Sequence, residues 1–210
     1  MAGPAVGHRE ENGRRIVTLV MAFIGENGAV MGGDRREITF LGDRASMERL
    51  EGELYSGDIV TDEELHRRAG ELGVEIRVRD DKVKVTERDG VLVGEVTSLE
   101  GGVLRRRRLF ASGGSYAIVD TEGSSATRKG RGGAGNFVVL GNERTKAVAR
   151  RCIAEGWKGG SLRDARGLIA RTMERAARET ASVSRGFILL ETAERADVGR
   201  LVDREPGGHS

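Results

Sequence analysis

Residues 18–36 read Thr18-Leu19-Val20-Met21-Ala22-Phe23-Ile24-Gly25-Glu26-Asn27-Gly28-Ala29-Val30-Met31-Gly32-Gly33-Asp34-Arg35-Arg36. From Thr18 to Gly25 the side chains are almost continuously apolar, the pattern of a strand buried on both faces. Glu26-Asn27-Gly28 follows with hairpin chemistry, because Asn-Gly tolerates the positive φ angles of a tight turn. A second strand, Ala29 to Gly33, runs into Asp34-Arg35-Arg36. A hairpin of this length returns the second strand beside the first and brings Asp34 back to Thr18. Alone, Thr18 is a good strand residue and Asp34 a good strand-end or turn residue; their interest lies in the pair.

Outward from this hairpin, residues 1–16 carry glycine, proline and charge without an apolar period, so residues 1–17 are expected to be a disordered leader outside the fold. Arg14-Arg15 before Ile16 to Ile24 imitates a secretory signal, but the run leads into turn residues and not into a small-residue cleavage site. No run reaches transmembrane length. Downstream, Ser46 to Leu54 has helical spacing through Met47, Leu50 and Leu54, and Thr61-Asp62-Glu63-Glu64 opens a second helix with a capping-box-like start. Together these helices read as an insertion between strands. Val74–Val78, Val83–Val85, Val91–Val96, Leu104–Ala111 and Ser115–Val119 are expected strands of an antiparallel sheet. Glu122 to Asn136 offers almost nothing to bury and is expected to be a mobile loop. The strand Phe137–Leu140, helices near Arg144–Glu155 and Leu162–Thr180, and a last strand Phe187–Glu191 follow. The order gives an α+β domain over 18–193 with a polar tail, 194–210.

A chain of 210 residues and 22.6 kDa has room for one domain with a sizeable core. A formal net charge of +2 with 32% charged residues is a mixed surface that names no partner. The basic residues are almost all arginine; the lysines are Lys82, Lys84, Lys129, Lys146 and Lys158. The single Cys152 excludes an internal disulfide, reads as a small core residue, and shares no metal-ligand spacing with His8, His66 or His209. No metal or cofactor is expected, and the expected compartment is the cytoplasm. Arg105–Arg108 and Arg128-Lys129-Gly130-Arg131 could neutralise phosphates. They lack interleaved aromatics, and alternation along a strand splits them between two faces, which favours a charged sheet edge over nucleic-acid binding.

The Thr18 to Arg36 stretch resembles the opening of proteasome β subunits, where a nucleophilic threonine starts the first strand and an aspartate lies at the end of the second. Val139-Leu140-Gly141-Asn142, two helices, and Ser182-Val183-Ser184-Arg185-Gly186-Phe187 parallel the closing part of such a subunit. Closer still is the likeness to connectases, a small archaeal branch of protein ligases related to proteasome β subunits. It is carried by Gly33-Asp34-Arg35-Arg36, Leu54-Tyr55-Ser56-Gly57-Asp58, Thr61-Asp62-Glu63-Glu64-Leu65, Gly114-Ser115-Tyr116-Ala117-Ile118-Val119 and Ser182-Val183-Ser184. The resemblance implies an N-terminal-nucleophile αββα sandwich and a transpeptidase that cuts a Lys-Asp-Pro-Gly-Ala sequence, holds the upstream fragment on its N-terminal threonine, and passes it to another N-terminus. Protein or peptide substrates are implied, among them a subunit of the membrane methyltransferase of methanogenesis; the glycine-rich surfaces are compatible with a monomer, which is the expected state. An ordinary threonine peptidase and a binding module that kept the fold without catalysis are the alternative readings.

Carried over residue by residue, the resemblance makes Thr18, Asp34, Arg35, Asn142 and Ser182 catalytic candidates and Arg36, Arg49 and Gly114 substrate contacts. Asn142 stands where the proteasome has a supporting serine, and Ser182 near the seat of a later aspartate. The proteasome lysine, thirty-two residues after the threonine, falls on Leu50. Arg35, Arg36, Arg44 or Arg49 could supply charge there but cannot shuttle a proton, so the base role is expected to fall on the α-amine of Thr18, which titrates near roughly 7.7–8.0 when free. In the written chain that amine is an amide to Val17. Either residues 1–17 are cleaved off or translation starts at Val17, and the second is the favoured reading. Connectases can carry an additional C-terminal domain, whereas this sequence ends soon after the core.

Overall fold

The computed structural model describes residues 14–17, 19–100, 103–123 and 125–204. In chain order the elements are β1 (Arg14–Val17), β2 (Leu19–Gly25), β3 (Gly28–Asp34), β4 (Glu37–Leu41), α1 (Arg44–Ser56), α2 (Asp62–Glu71), β5 (Glu75–Arg79), β6 (Val85–Arg88), β7 (Val91–Glu100), β8 (Val103–Ser112), β9 (Ser115–Glu122), β10 (Ser125–Gly133), β11 (Asn136–Gly141), α3 (Glu143–Gly156), α4 (Leu162–Glu179), β12 (Phe187–Thr192) and α5 (Val198–Val202).

Two antiparallel sheets pack face to face. The smaller has the order β11-β2-β3-β12; the larger is eight-stranded, in the order β10-β9-β8-β7-β1-β4-β5, with β6 added against β7. β2 and β3, apolar on both sides, lie between layers. Leu19, Met21 and Phe23 meet Ile169, Met173 and Val148 of α3 and α4, whereas Val20, Ala22 and Ile24 meet Leu92, Leu109 and Ala111 of the facing sheet. The sheets approach closely because Gly33 and Gly94 lack side chains. A Cβ on Gly33 would stand 2.8 Å from Val85, and one on Gly94 would stand 2.6 Å from Val20. On the outer face of the larger sheet, α1 and α2 cover Ile38, Phe40, Ile76 and Val78, and α5 covers Phe110, Ala117 and Val119. Helices thus flank a double sheet, the expected αββα sandwich.

The inserted pair of helices forms as its caps dictate. Asp43 accepts from Ser46 at the start of α1, Gly57 ends that helix at φ 93°, and Thr61 and Glu64 close the capping box of α2. Four expectations change. The β2–β3 turn centres on Glu26-Asn27, with Gly25 opposite Gly28. Gly28 is needed for close approach, since a Cβ there would lie 2.4 Å from the Thr192 carbonyl. The stretch 122–136, expected to be a mobile loop, holds β10, whose backbone pairs with β9 from Ser125↔Glu122 to Gly133↔Ser115 around a bulge at Arg128/Gly130. A strand supported by its neighbour's backbone needs no apolar side chains of its own, which hides it from a hydrophobic pattern. The segment after residue 193 includes α5, with Val198 and Val202 buried. Of the leader, residues 1–13 lie outside the described residues and Arg14–Val17 form β1.

Candidate active site

Antiparallel pairing sets the site. β2 lies between β3 and β11, so its first residue meets the last residues of both neighbours. Leu19 pairs with Gly141, and Val20 pairs with Gly33 next to Asp34. Thr18 lies outside the described residues, immediately before Leu19. At this strand end the Asp34 carboxylate is fully buried and accepts four hydrogen bonds. Oδ1 takes the Leu19 N–H at 3.1 Å and Lys84 Nζ at 2.5 Å; Oδ2 takes the N–H groups of Arg36 at 2.8 Å and Ser184 at 3.4 Å.

Lys84 corrects the expectation that no lysine serves this centre. Its side chain and that of Asp34 are both 0% exposed. The insertion α1–α2–β5 separates β4 from β6 and displaces the lysine along the chain, while tertiary pairing returns it. Lys82 N–H donates to the Arg35 carbonyl at 3.0 Å, and Glu95 N–H donates to the Lys84 carbonyl at 2.8 Å. Residues 82–84 are thereby pinned between the β3–β4 turn and β7. Gly33 leaves room for this, because a Cβ there would approach Lys84 Cβ to 3.3 Å. Leu50, where linear counting put the lysine, is a core residue under α1. Burial pushes the Lys84 ammonium below the ordinary lysine value, opposed by the charge of Asp34.

Arg35 serves the centre through its backbone, whose N–H donates to Ser184 Oγ at 2.8 Å. Ser184 Oγ in turn donates to the Gly186 carbonyl at 2.6 Å. Asn142 caps α3 by accepting from Thr145 N, and its Nδ2 reaches Ser182 Oγ at 3.4 Å. Ser182 Oγ also shares a hydrogen bond with Thr180 Oγ1 at 3.0 Å. The structure therefore joins Asn142 to Ser182 and Asp34 to Lys84 and Ser184. Ser184, missed as a site residue although its motif was noted, supplies one of the three N–H groups on Asp34.

Of the three expected substrate contacts, Arg36 meets Asp34 through its backbone N–H, while Arg49 and Gly114 lie away from that carboxylate. Arg36 is nearly buried and forks onto two carboxylates: Nε and Nη2 to Asp80 at 2.8 and 2.9 Å, and Nη1 and Nη2 to Asp62 at 2.5 and 3.1 Å. Its Nη1 also donates to the Ala181 carbonyl at 2.7 Å. Burial disfavours the cation, but Asp80 and Asp62 outweigh it and raise the Arg36 pKa; Arg36 holds Asp80 below the usual carboxylate range. This group lines one wall of an open cleft of 960 Å³ that also borders Val183 and Arg185. Arg49 lies on the exposed side of α1 and pairs with Glu53. Gly114 turns β8 into β9 at φ 83° and donates to the Gly25 carbonyl. That is the far end of β2, about 20 Å from Leu19 at strand rise.

A family model described as Connectase MJ0548-like, N-terminal domain, matches residues 17–204. The chain belongs to the connectase family. Among solved structures, the chain is similar to the eukaryotic HslV of Trypanosoma brucei (16% identity over 83% of this chain and 98% of that one, TM-score 0.34). The Anbu ancestral β-subunit of Yersinia bercovieri (11%, 83% and 80%, TM-score 0.34) and the helical Anbu complex of Pseudomonas aeruginosa (12%, 83% and 80%, TM-score 0.35) are similar at the same level. No curated protein matches the chain. Connectase membership gives a protease-related or ligase function. Among the described residues no group of three or more His, Cys, Asp or Glu could hold a metal ion, and no helix is long and apolar enough to cross a membrane.

Proposed function

We propose that this connectase is a protein ligase in which Thr18, with a free α-amine, attacks a peptide bond, keeps the upstream fragment and releases it to an incoming N-terminus. The observation that carries the reading is the buried Lys84–Asp34 pair, one hydrogen bond from Leu19 N. An isolated hydroxyl is a weak nucleophile and needs a neighbouring group to take its proton. Lys84, its pKa lowered by burial, takes the Thr18 Oγ proton, and Asp34 balances the charge that remains. The first product is an ester on Oγ. Its carbonyl then shifts to the adjacent α-amine, giving an amide that resists water. Reversal restores the ester for attack by the acceptor amine, so transfer outruns hydrolysis. Asn142 and Ser182 hold hydrogen-bonding groups at the end of β11, opposite Leu19, where they polarise the carbonyl under attack.

The test incubates a chain beginning at Thr18 with a peptide containing Lys-Asp-Pro-Gly-Ala and follows intact mass. An adduct equal to the upstream fragment, lost on adding a second amine-bearing peptide, is the expected result. Free fragments with no adduct at any time mean a peptidase. Neither product means a binding module, and an adduct that survives Thr18→Ala removes the nucleophile from the scheme.

A further inference from the structure

The whole chain has a net charge of +2, but residues 143–179, which hold α3 and α4, contain ten basic and five acidic residues, a net +5, and leave the rest at −3. Most acids of this helical hairpin are used within it. Glu143 pairs with Lys146, Glu155 with Arg175, and Glu179 with Arg144, Arg151 and Arg175. Asp164 closes the capping box at Ser161. What is left over is cationic. Arg150, Lys158, Arg163, Arg166, Arg171 and Arg178 are exposed, and among the described residues their side chains have no ion-pair or hydrogen-bond partner; of the hairpin's carboxylates only Glu174 shares that position.

Four of these arginines run along α4. Arg163, Arg166, Arg171 and Arg178 are exposed, on the side of the helix away from its buried Ala165, Ile169, Met173 and Ala176. At a helical rise of about 1.5 Å per residue the row is about 22 Å long. Its C-terminal end reaches the site: Arg178 and Arg185 line the open cleft with Val183 and Gly186, and Ser184, between Val183 and Arg185, donates its N–H to Asp34. Unpaired cations held on a packed helix set up a standing positive potential, which speeds the arrival of an anionic partner. The surface fits an acidic polypeptide better than a nucleic acid. Trp157, the aromatic residue of the hairpin, packs against Phe23 and Phe137, so bases find no stacking platform on this face. Glu174, between Arg171 and Arg178 in sequence, repels a backbone that is charged at every residue, whereas a polypeptide can place a neutral or basic residue there.

We propose that the arginine row of α4 recruits an acidic segment of a protein substrate and leads it to the cleft beside the Asp34 centre. This rests on the reading above that the chain acts on protein substrates. The row touches no reacting atom. It acts on encounter and residence, and so on kcat/KM but not on kcat.

The experiment follows the fluorescence anisotropy of a labelled peptide rich in Glu and Asp with the full chain, beside a neutral peptide of equal length and a DNA duplex of equal charge. The acidic peptide is expected to bind, and to bind about tenfold more weakly when salt rises from about 50 to about 300 mM. Replacing the arginines farther from the cleft together, Arg163→Glu, Arg166→Glu and Arg171→Glu, is expected to weaken binding by about tenfold or more. The same three changed to Gln should fall between, and they keep the test valid if charge reversal disturbs the helix. No binding of the acidic peptide, equal binding of the neutral one, parental binding by both variants or tighter binding of the duplex overturns the inference. In the adduct assay with the chain beginning at Thr18, joining the acidic segment to the test peptide should raise kcat/KM about tenfold at low salt without changing kcat. The Glu variant should lose that gain and treat the unextended peptide as the parent does. Adducts from both peptides at equal kcat/KM overturn the inference and leave the ligase reading; acidic-peptide binding with no adduct from either removes the ligase reading and leaves the surface.

Discussion

Asp34 and Arg36 lie two residues apart at one strand end, yet each anchors an ionic cluster of opposite character. Asp34 and Lys84 are sealed from water, with one carboxylate for one ammonium. Arg36 is nearly as buried, but its partners Asp62 and Asp80 are about half exposed, at 50% and 47%, and border the open cleft. Burial lowers the pKa of the lysine and fails to lower that of the arginine. In the proposed mechanism the lysine is the group that moves a proton. The arginine, with five donors in a fixed fork, is permanently charged and clamps the inserted α2 to the β3–β4 turn. One turn thus supports the proposed proton-transfer centre on one side and a structural rivet on the other.

The largest expected effect comes from breaking the sealed pair. Lys84→Arg keeps a positive charge but removes the movable proton, and adduct formation by the chain beginning at Thr18 should fall about 10²–10⁴-fold. Lys84→Met should fall as far and also cost about 3–5 kcal/mol of stability, because it strands a buried carboxylate. The double variant Asp34→Asn with Lys84→Met should regain most of that stability in denaturant melts without regaining turnover. If Lys84→Arg retains full activity, the lysine supplies charge alone.

Arg36→Met, by contrast, should loosen the insertion more than it slows chemistry. It should lower stability by about 3 kcal/mol, as expected for breaking a largely buried pair, and raise hydrogen exchange in α2 while adduct formation changes less than tenfold. The cluster also sets an acid limb. Asp80 has a folded pKa below its unfolded value of about 3.9. Between the two values the unfolded state binds more protons. The contribution is therefore complete above about pH 5 and is lost as pH falls through the lowered value. Melting midpoints from pH 5 down to pH 2 should fall less steeply in Arg36→Met than in the parent.

The smaller effects probe the supports. Gly33→Ala should cost about 1–3 kcal/mol by pressing on Val85 and Lys84, and it should slow adduct formation because the lysine is displaced. Ser184→Ala keeps the N–H on Asp34 but leaves the Arg35 N–H without its acceptor. A loss of about 1–2 kcal/mol is expected, with adduct formation nearly unchanged.

The sequence was most informative where local chemistry and tertiary use agree. The hairpin from Thr18 to Arg36, the buried Met47, Leu50 and Leu54 of α1, the capping box at Thr61 and the apolar stripe of α4 are legible because period and capping are short-range properties. β10 was not legible, because its support comes from the backbone of β9, and α5 was lost in a polar segment whose two buried valines are four residues apart. In the site, Asp34 could be placed from a hairpin, and Asn142 and Ser182 from motif likeness. Lys84 could not, because counting along the chain assumes that nothing is inserted between β4 and β6. Arg36 and Arg35, adjacent in the motif, could not be assigned a side-chain and a backbone role until their partners were known.

What the sequence determined by itself is a set of local facts: an apolar hairpin ending in an acid, capped helices, a connectase-like order of elements and a threonine sixteen residues before an aspartate. What only the tertiary structure decided is which distant groups meet them. Lys84 reaches Asp34, Ser184 holds that carboxylate, Arg36 turns away to Asp62 and Asp80, and Arg14–Val17 closes the gap between β4 and β7. The physical reason is that periodicity, caps and turns are fixed by neighbours a few residues apart. A buried charge, however, is fixed by whichever partner the packed sheets bring within hydrogen-bond distance, at whatever separation along the chain.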